Sequence, residues 1–164
     1  MIRLMTPNDI NTVRQIAEIS RRRAYEGLLP AQALEQSLNR DYSAPMLMKR
    51  MEKTTMLIAE HEGMPIGFAN ITRVDEDGDA ELTAFHLLPQ VEGLGYGHRL
   101  IEAGISRLEG GLRLFAYVEG PDSEACSFFE GCGFELLDEF EELFEGYPTL
   151  TAQYVHYLKT PALV

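Results

Sequence analysis

Cysteine, basic charge and long apolar runs are all scarce in this chain, and each shortage removes a class of answer. The 164 residues hold 2 cysteines, Cys126 and Cys132. Both fall on a segment that reads as one helix, where they face different sides and are badly placed to bridge. With no second pair and no His–Cys cluster, neither a disulfide framework nor a zinc site is supported, so no metal is expected and two small buried hydrophobes are the simpler account. Lys and Arg total 14 against 26 Asp and Glu, a formal net charge of -12. That balance argues against a nucleic-acid surface and fits a cationic small substrate drawn in by the field, although acidic proteins are commonly just well solvated. No apolar stretch approaches the ~20 residues that span a bilayer, and the N-terminus lacks the layout of a signal peptide. A cytoplasmic protein with no membrane and no nucleic-acid partner is expected. No repeat or low-complexity segment interrupts the chain, whose length suits a single domain over 1–160 with a tail at 161–164.

What is present centres on residues 80–100, AELTAFHLLPQVEGLGYGHRL. The first half reads as a buried strand ending before Pro89. Gly93, Gly95 and Gly97 follow at alternate positions, and Leu100, Ile101, Ile105 and Leu108 then carry a helical stripe over 99–108. Strand, glycine loop and helix together aim backbone N–H groups and a positive helix end at an anion, and glycine lets the backbone come close. A flexible turn between strand and helix accounts for the glycines alone about as well.

Around this centre the pattern predicts a strand at 2–5 and a helix from Thr6-Pro7 to about Arg23, with Thr6 as cap and Pro7 in the first turn. Arg21, Arg22 and Arg23 suit a solvated helix end. Further helices are predicted over 31–39 and 45–52. An antiparallel pair covers 56–61 and 66–74, turning at 62–65, and a solvated acidic turn spans 75–79. A strand at 112–118 follows the glycine-loop helix, which implies a parallel crossover, and Ser123 caps a short helix to about Gly131. Residues 135–145 fit a helical stripe and a strand face alike. The Thr-, Tyr- and Val-rich stretch at 150–158 prefers a strand, so a long hairpin turning at 146–148 is the choice.

The glycine pattern fails two familiar nucleotide motifs. No lysine lies in the loop, as a Walker motif requires, and the spacing G-x-G-x-G past mid-chain is not the dinucleotide fingerprint. Residues 89–100 instead resemble the acetyl-CoA signature Q/R-x-x-G-x-G/A of the Gcn5-related N-acetyltransferases. DSEACSFFEGCGF at 122–134 is similar to that family's N-x-x-A-x-x-F-Y-E-x-x-G-F. The resemblance implies an α/β (α+β) fold with a mixed, mostly antiparallel sheet of about seven strands, flanked by helices and holding one splayed parallel pair. It implies acetyl-CoA as cosubstrate, with Phe85, His86 and Leu87 offering strand-edge groups to the pantetheine. Gly93, Leu94, Gly95, Tyr96, Gly97 and His98 would hold the pyrophosphate, and Asp122, Phe128 and Phe129 would flank the cofactor. Alternation places Glu81, Thr83, Phe85 and Leu87 on one strand face, and Glu81 matches the carboxylate that takes the amine proton; a solvated, inert Glu at a strand start is the rival account. AYEGLLP looks like the substrate-side cover of one branch, which implicates Tyr25, Gly27, Leu28 and Leu29, although packing between helices explains them equally.

Three departures stand out. Glu92 occupies the Gln/Arg position, where a carboxylate repels pyrophosphate and His98 and Arg99 offset it in part. Phe129 replaces the tyrosine that protonates the leaving thiolate and has no proton to give, which turns attention to Tyr96, Tyr147, Tyr154 or water. Asp122 replaces a cofactor-contacting Asn. The leading expectation is acetyl transfer to a small-molecule amine, polyamine- or amino-acid-like. The alternatives are a protein or peptide N-terminus as acceptor, or a catalytically weak CoA-binding regulatory module. The final hairpin offers an edge through which two copies could pair as a homodimer.

Overall fold

The structure is a computed structural model that describes residues 1–119 and 123–158, the side chain of Ser123 excepted. Asp122, the expected cap at Ser123 and the boundary at 160 lie outside what is described.

Strand β1 (Ile2–Leu4) and a 3-10 turn at Pro7–Asp9 lead into α1 (Ile10–Tyr25), α2 (Ala31–Asp41) and α3 (Ala44–Lys53). Then come β2 (Thr55–His61), β3 (Met64–Ile71), β4 (Asp79–Leu87), α4 (Tyr96–Ile105), β5 (Arg113–Glu119), α5 (Ser123–Gly131), β6 (Glu135–Phe144) and β7 (Tyr147–Tyr157). Among the described residues these strands form one sheet in the order β1-β2-β3-β4-β5-β7-β6. Every neighbouring pair is antiparallel except β4–β5. This is the expected mixed sheet.

Alternation along β2 and β3 builds two cores, one on each side of the sheet. Leu57, Ala59, Ala69 and Ile71 pack with Leu100 and Ile101 of α4 and Phe129 of α5. Met56, Ile58 and Phe68 face Val13 and Ile16 of α1, Leu38 of α2 and Leu47 of α3. Phe68 is fully buried there. Arg3 fastens the chain start by donating to both Asp9 oxygens at 2.8 Å, which holds the Asp9 carboxyl below its usual range.

Several boundaries differ from expectation for local reasons. The β2–β3 turn is only Glu62-Gly63 and the β6–β7 turn only Glu145-Gly146, each with positive φ at both positions, the two-residue form that matches strand twist. Met64-Pro65 and Tyr147-Pro148 therefore belong to strands. Residues 135–144 are indeed a strand. Cys132 lies just past α5, and both cysteines are half-buried thiols, so they do not share one helix and are not fully buried.

Candidate active site

The site is built where β4 and β5 part. Their ladder runs Asp79↔Arg113, Ala80↔Leu114, Glu81↔Phe115 and Leu82↔Ala116, then stops, while β4 continues to Leu87 and β5 to Glu119. On its other side β4 stays paired with β3 as far as Leu87. Phe85, His86 and Leu87 thus border a wedge with a strand edge facing it, a surface suited to an extended ligand.

A bulge at Thr83 overturns the simple alternation. Asn70 pairs with Ala84 but Ile71 with Leu82, so Thr83 is an extra residue and the side-chain faces switch across it. Phe85 and Leu87 join Leu82 in the core beneath α4 and α5, whereas Ala84 packs with the α1 side. Glu81 therefore does not share a face with Phe85 and Leu87. Its neighbours in β5 alternate likewise: Leu114, Ala116 and Val118 face α4, which leaves Phe115, Tyr117 and Glu119 on the opposite side with Glu81.

Under the wedge the glycine loop meets α4. Gly95 stands just before the helix with φ +86°, and Gly93 has φ +84°, values that favour glycine. A Cβ added at either would meet nothing within 4 Å, so the loop faces open space that a ligand can fill. Helix α4 starts at Tyr96, three residues before its expected start, because Arg99 N already donates to Gly95 O at 3.2 Å. The loop N–H groups thus lead straight into a helix N-terminus. Leu94 is exposed beside them. Gly97 is required by contact, since a Cβ there would lie 2.9 Å from two ring carbons of Phe128. Phe128 also stacks on Phe85 at 5.2 Å, and Phe129 sits 5.8 Å from Phe85 in the same aromatic cluster.

On the opposite face, Glu81 and Tyr117 open into one cavity of about 370 Å³, lined also by Thr72, Phe115 and Gln153. The Tyr117 hydroxyl lies 3.5 Å from Glu81 Oε1 and accepts from Gln153 Nε2 at 3.2 Å. Burial, and then the Glu81 charge, raise the Tyr117 phenol above its usual range. At the end of β5, desolvation and the nearby Glu142 carboxylate raise Glu119, with Arg21 opposing them. Tyr117 and Gln153 were not singled out from the sequence, although alternation around Ala116 already sets Tyr117 apart from the core side.

The His86 side chain points toward α1, with Nδ1 2.7 Å from Ser20 Oγ, and burial lowers its pKa to about 3, so the ring is neutral. Tyr96 is buried with its hydroxyl 2.6 Å from His61 Nδ1, Tyr154 donates to Glu130 at 3.3 Å, and Tyr147 opens β7 at the hairpin tip. None of these three lines the Glu81 cavity. Glu92 is not a bare charge but pairs with Arg23 at 3.1 Å. Arg99 lies over the Tyr96 ring, and His98 packs edge-on against Phe128 with Nδ1 3.4 Å from Cys132 Sγ. Gly27 and Leu29 line a second cavity of about 380 Å³ at the α1–α2 turn, apart from the Glu81 cavity. Leu28 is exposed, whereas Tyr25 is buried against Phe144. Asp75, Asp77 and Asp79 cluster, but Asp75 accepts from two backbone N–H groups of its own turn and Asp79 is held by Arg113.

Comparison with known proteins agrees with this fold. No curated protein matches the chain by sequence. Solved structures share its fold across nearly its whole length. A PaiA N-acetyltransferase from Thermoplasma acidophilum, in complex with coenzyme A, is 21% identical with a TM-score of 0.78, covering 92% of this chain and 96% of that one. The ribosomal-protein-S18-alanine N-acetyltransferase of Escherichia coli is 17% identical with a TM-score of 0.71, covering 99% and 96%. YncA of Salmonella typhimurium, a putative acetyltransferase with its cofactor acetyl-CoA, is 15% identical with a TM-score of 0.69, covering 100% and 96%. The family profile described as acetyltransferase (GNAT) matches residues 14–134, which takes in the parted strands and the glycine loop, and the chain belongs to that family of acetyl-CoA-dependent N-acetyltransferases.

Proposed function

We propose that the protein moves the acetyl group of acetyl-CoA directly onto an amine of a small molecule, polyamine- or amino-acid-like. The observation that carries this reading is the position of Glu81 and Tyr117 at the point where β4 and β5 part, on the face away from α4. Cofactor and acceptor then approach from opposite sides. The strand edge at Phe85–Leu87 receives the pantetheine, and the N–H groups of residues 93–98 receive the pyrophosphate. Phe128 and Phe129, against Phe85, flank that side.

An amine is protonated at neutral pH and cannot attack until it loses a proton. Glu81 accepts that proton, directly or through one water. The amine nitrogen then bonds to the thioester carbonyl carbon, the C–S bond breaks and a thiolate leaves. Phe129 has no proton to offer, whereas Tyr117, beside Glu81, can donate its own to the sulfur and recover one from the Glu81 carboxyl. Bond formation leaves the nitrogen positively charged until it sheds a second proton, so of the two protons the ammonium loses, one reaches the sulfur of coenzyme A through Glu81 and Tyr117 and the other passes to solvent.

Two features favour a small acceptor. The α1–α2 segment meets the β6–β7 tip over this face, where Tyr25 stacks on Phe144 at 4.8 Å and Arg40 pairs with Glu145. Glu81, Glu119 and Glu142 also make the face attractive to a cation. The likeness to the ribosomal-protein-alanine enzyme supports a second reading, in which a peptide N-terminus is the acceptor. Thiol release assayed across polyamines, amino acids and peptides separates them: turnover on small amines is expected. Turnover on peptides alone transfers the assignment to the second reading, and coenzyme A binding without turnover on any amine favours a regulatory module.

A further inference from the structure

We propose that Arg23, tethered by Glu92, is a ligand of the coenzyme A pyrophosphate, so that the carboxylate at the head of the glycine loop serves to hold a guanidinium delivered from α1. This rests on reading the loop as the phosphate site.

The three consecutive arginines that end α1 go three ways. Arg21 donates to Ser37 and Asp41 at 3.1 Å, which ties α1 to α2. Arg22 pairs along its own helix with Glu18 at 2.9 Å and reaches Glu35 at 3.6 Å. Arg23 alone leaves the helical layer, and its Nη1 donates to Glu92 Oε1 at 3.1 Å across 69 residues of sequence. Both side chains are about half exposed, 56% and 50%. Exposed ion pairs contribute little to folding, so the fold gives small reason for this one.

The charge balance of the loop supplies a reason. Glu92 is the one charged side chain between Val91 and Gly97, in a chain of net charge -12. A pyrophosphate arriving beside a bare Glu92 meets a like charge. Of the basic side chains nearest in sequence, Arg99 lies over the Tyr96 ring and His98 packs against Phe128. A guanidinium carries five N–H donors in a planar fork suited to phosphate. Glu92 takes one of them, and no other acceptor among the described residues takes the rest. Arg23 is thereby held in place with most of its donors free, which lowers the ordering cost of using it.

Coenzyme A titrated calorimetrically into the full chain tests this through a two-residue cycle. Arg23→Ala removes the cation and also bares Glu92, so affinity is expected to fall about tenfold or more. Glu92→Gln alone is expected to change it by less than about threefold, because losing the tether is offset by losing the repulsion. The double variant should bind more tightly than Arg23→Ala alone, since the repulsion has gone with the cation. The same Arg23→Ala loss is expected with dephospho-coenzyme A, which keeps the pyrophosphate and lacks the 3′-phosphate. Wild-type-like affinity in Arg23→Ala overturns the proposal alone, as does a loss that vanishes with dephospho-coenzyme A or a double variant no tighter than Arg23→Ala. A wild-type chain that binds no coenzyme A overturns the loop reading, and the proposal with it.

Discussion

The two sides of the wedge are finished very differently. Between the edge and β4, the sheet is covered on both faces: Met56–Ala59 of β2 and Ile66–Ile71 of β3 are buried without interruption, odd and even positions alike. Beyond β5 the sheet thins into the β6–β7 hairpin, whose outer strand has no buried residue and leaves Leu136, Leu137 and Leu143 about half exposed or more. The α4 face of this second half is covered by α5, but its other face carries Tyr117, Glu119, Gln153 and Glu142. The parallel pair that stops halfway borders a β1–β4 half whose two faces are both covered. Close packing on both faces is concentrated on one side of the opening, and exposed polar side chains on the other.

Phe68→Ala should break the comparison most sharply. Phe68 is fully buried among α1, α2 and α3, and removing such a ring costs about 3–5 kcal/mol. Leu143→Ala, in the outer strand, should stay within about 0.5 kcal/mol. Urea unfolding of the two variants checks the contrast, and equal losses would mean the hairpin is as tightly built as the first half.

Next in size is Glu81→Gln, which keeps the shape of the cavity and removes the proposed proton acceptor. Turnover at pH 7 should fall about a hundredfold while acetyl-CoA affinity is kept, because the glycine loop lies on the other face. Unchanged kcat would take Glu81 out of the reaction.

Most of the first half was readable from sequence, and so was the loop. Residues 93–97 carry their meaning in residue type, because the positive φ at Gly93 and Gly95 and the Phe128 ring against Gly97 call for glycine. The bulge at Thr83 was not readable. It arises from how β4 pairs with β3, and nothing in T-A-F-H marks which residue is the extra one. That single insertion hid the separation of Glu81 from Phe85, and with it the partnership of Glu81 and Tyr117. The hairpin turns were misplaced for a related reason. Pro65 and Pro148 look like turn residues, yet Pro148 sits in β7 before its ladder with β5 begins at Thr151, where a missing N–H is tolerated. Arg23 and Glu92 meet across 69 residues, a pairing that no local pattern contains.

Acid should expose a further difference. His86 lies on the well-covered side of β4, where burial, helped by Arg21 and Arg50, lowers its pKa from 6.5 to about 3. Between those values the unfolded chain binds a proton that the folded one refuses, so stability falls as pH drops through that window. The slope has a ceiling of about 1.4 kcal/mol per pH unit, and a loss approaching about 3 kcal/mol by pH 4.5 is expected. His86→Gln should flatten it; an unchanged acid slope would mean the imidazole is solvated.

The smallest expected effect is the most discriminating, because it falls where the two halves touch. Tyr25 is 3% exposed, and its hydroxyl is a buried polar side-chain atom without a hydrogen-bond partner among the described residues. Its ring lies flat on Phe144 of the hairpin, 4.8 Å away and tilted by 3°. Leaving a hydroxyl dry costs about 1–3 kcal/mol, and taking it away restores that without disturbing the stack. Tyr25→Phe should therefore raise stability by about 1 kcal/mol, or Tm by about 2–4 °C for a chain of this length. If the hydroxyl is kept because it meets an acceptor once the hairpin tip lifts, the same substitution should raise KM for the amine and leave KM for acetyl-CoA alone. A fall in Tm would show that the hydroxyl is already bonded in the free protein, and the contact between the halves would then be a fixed joint instead of one that opens.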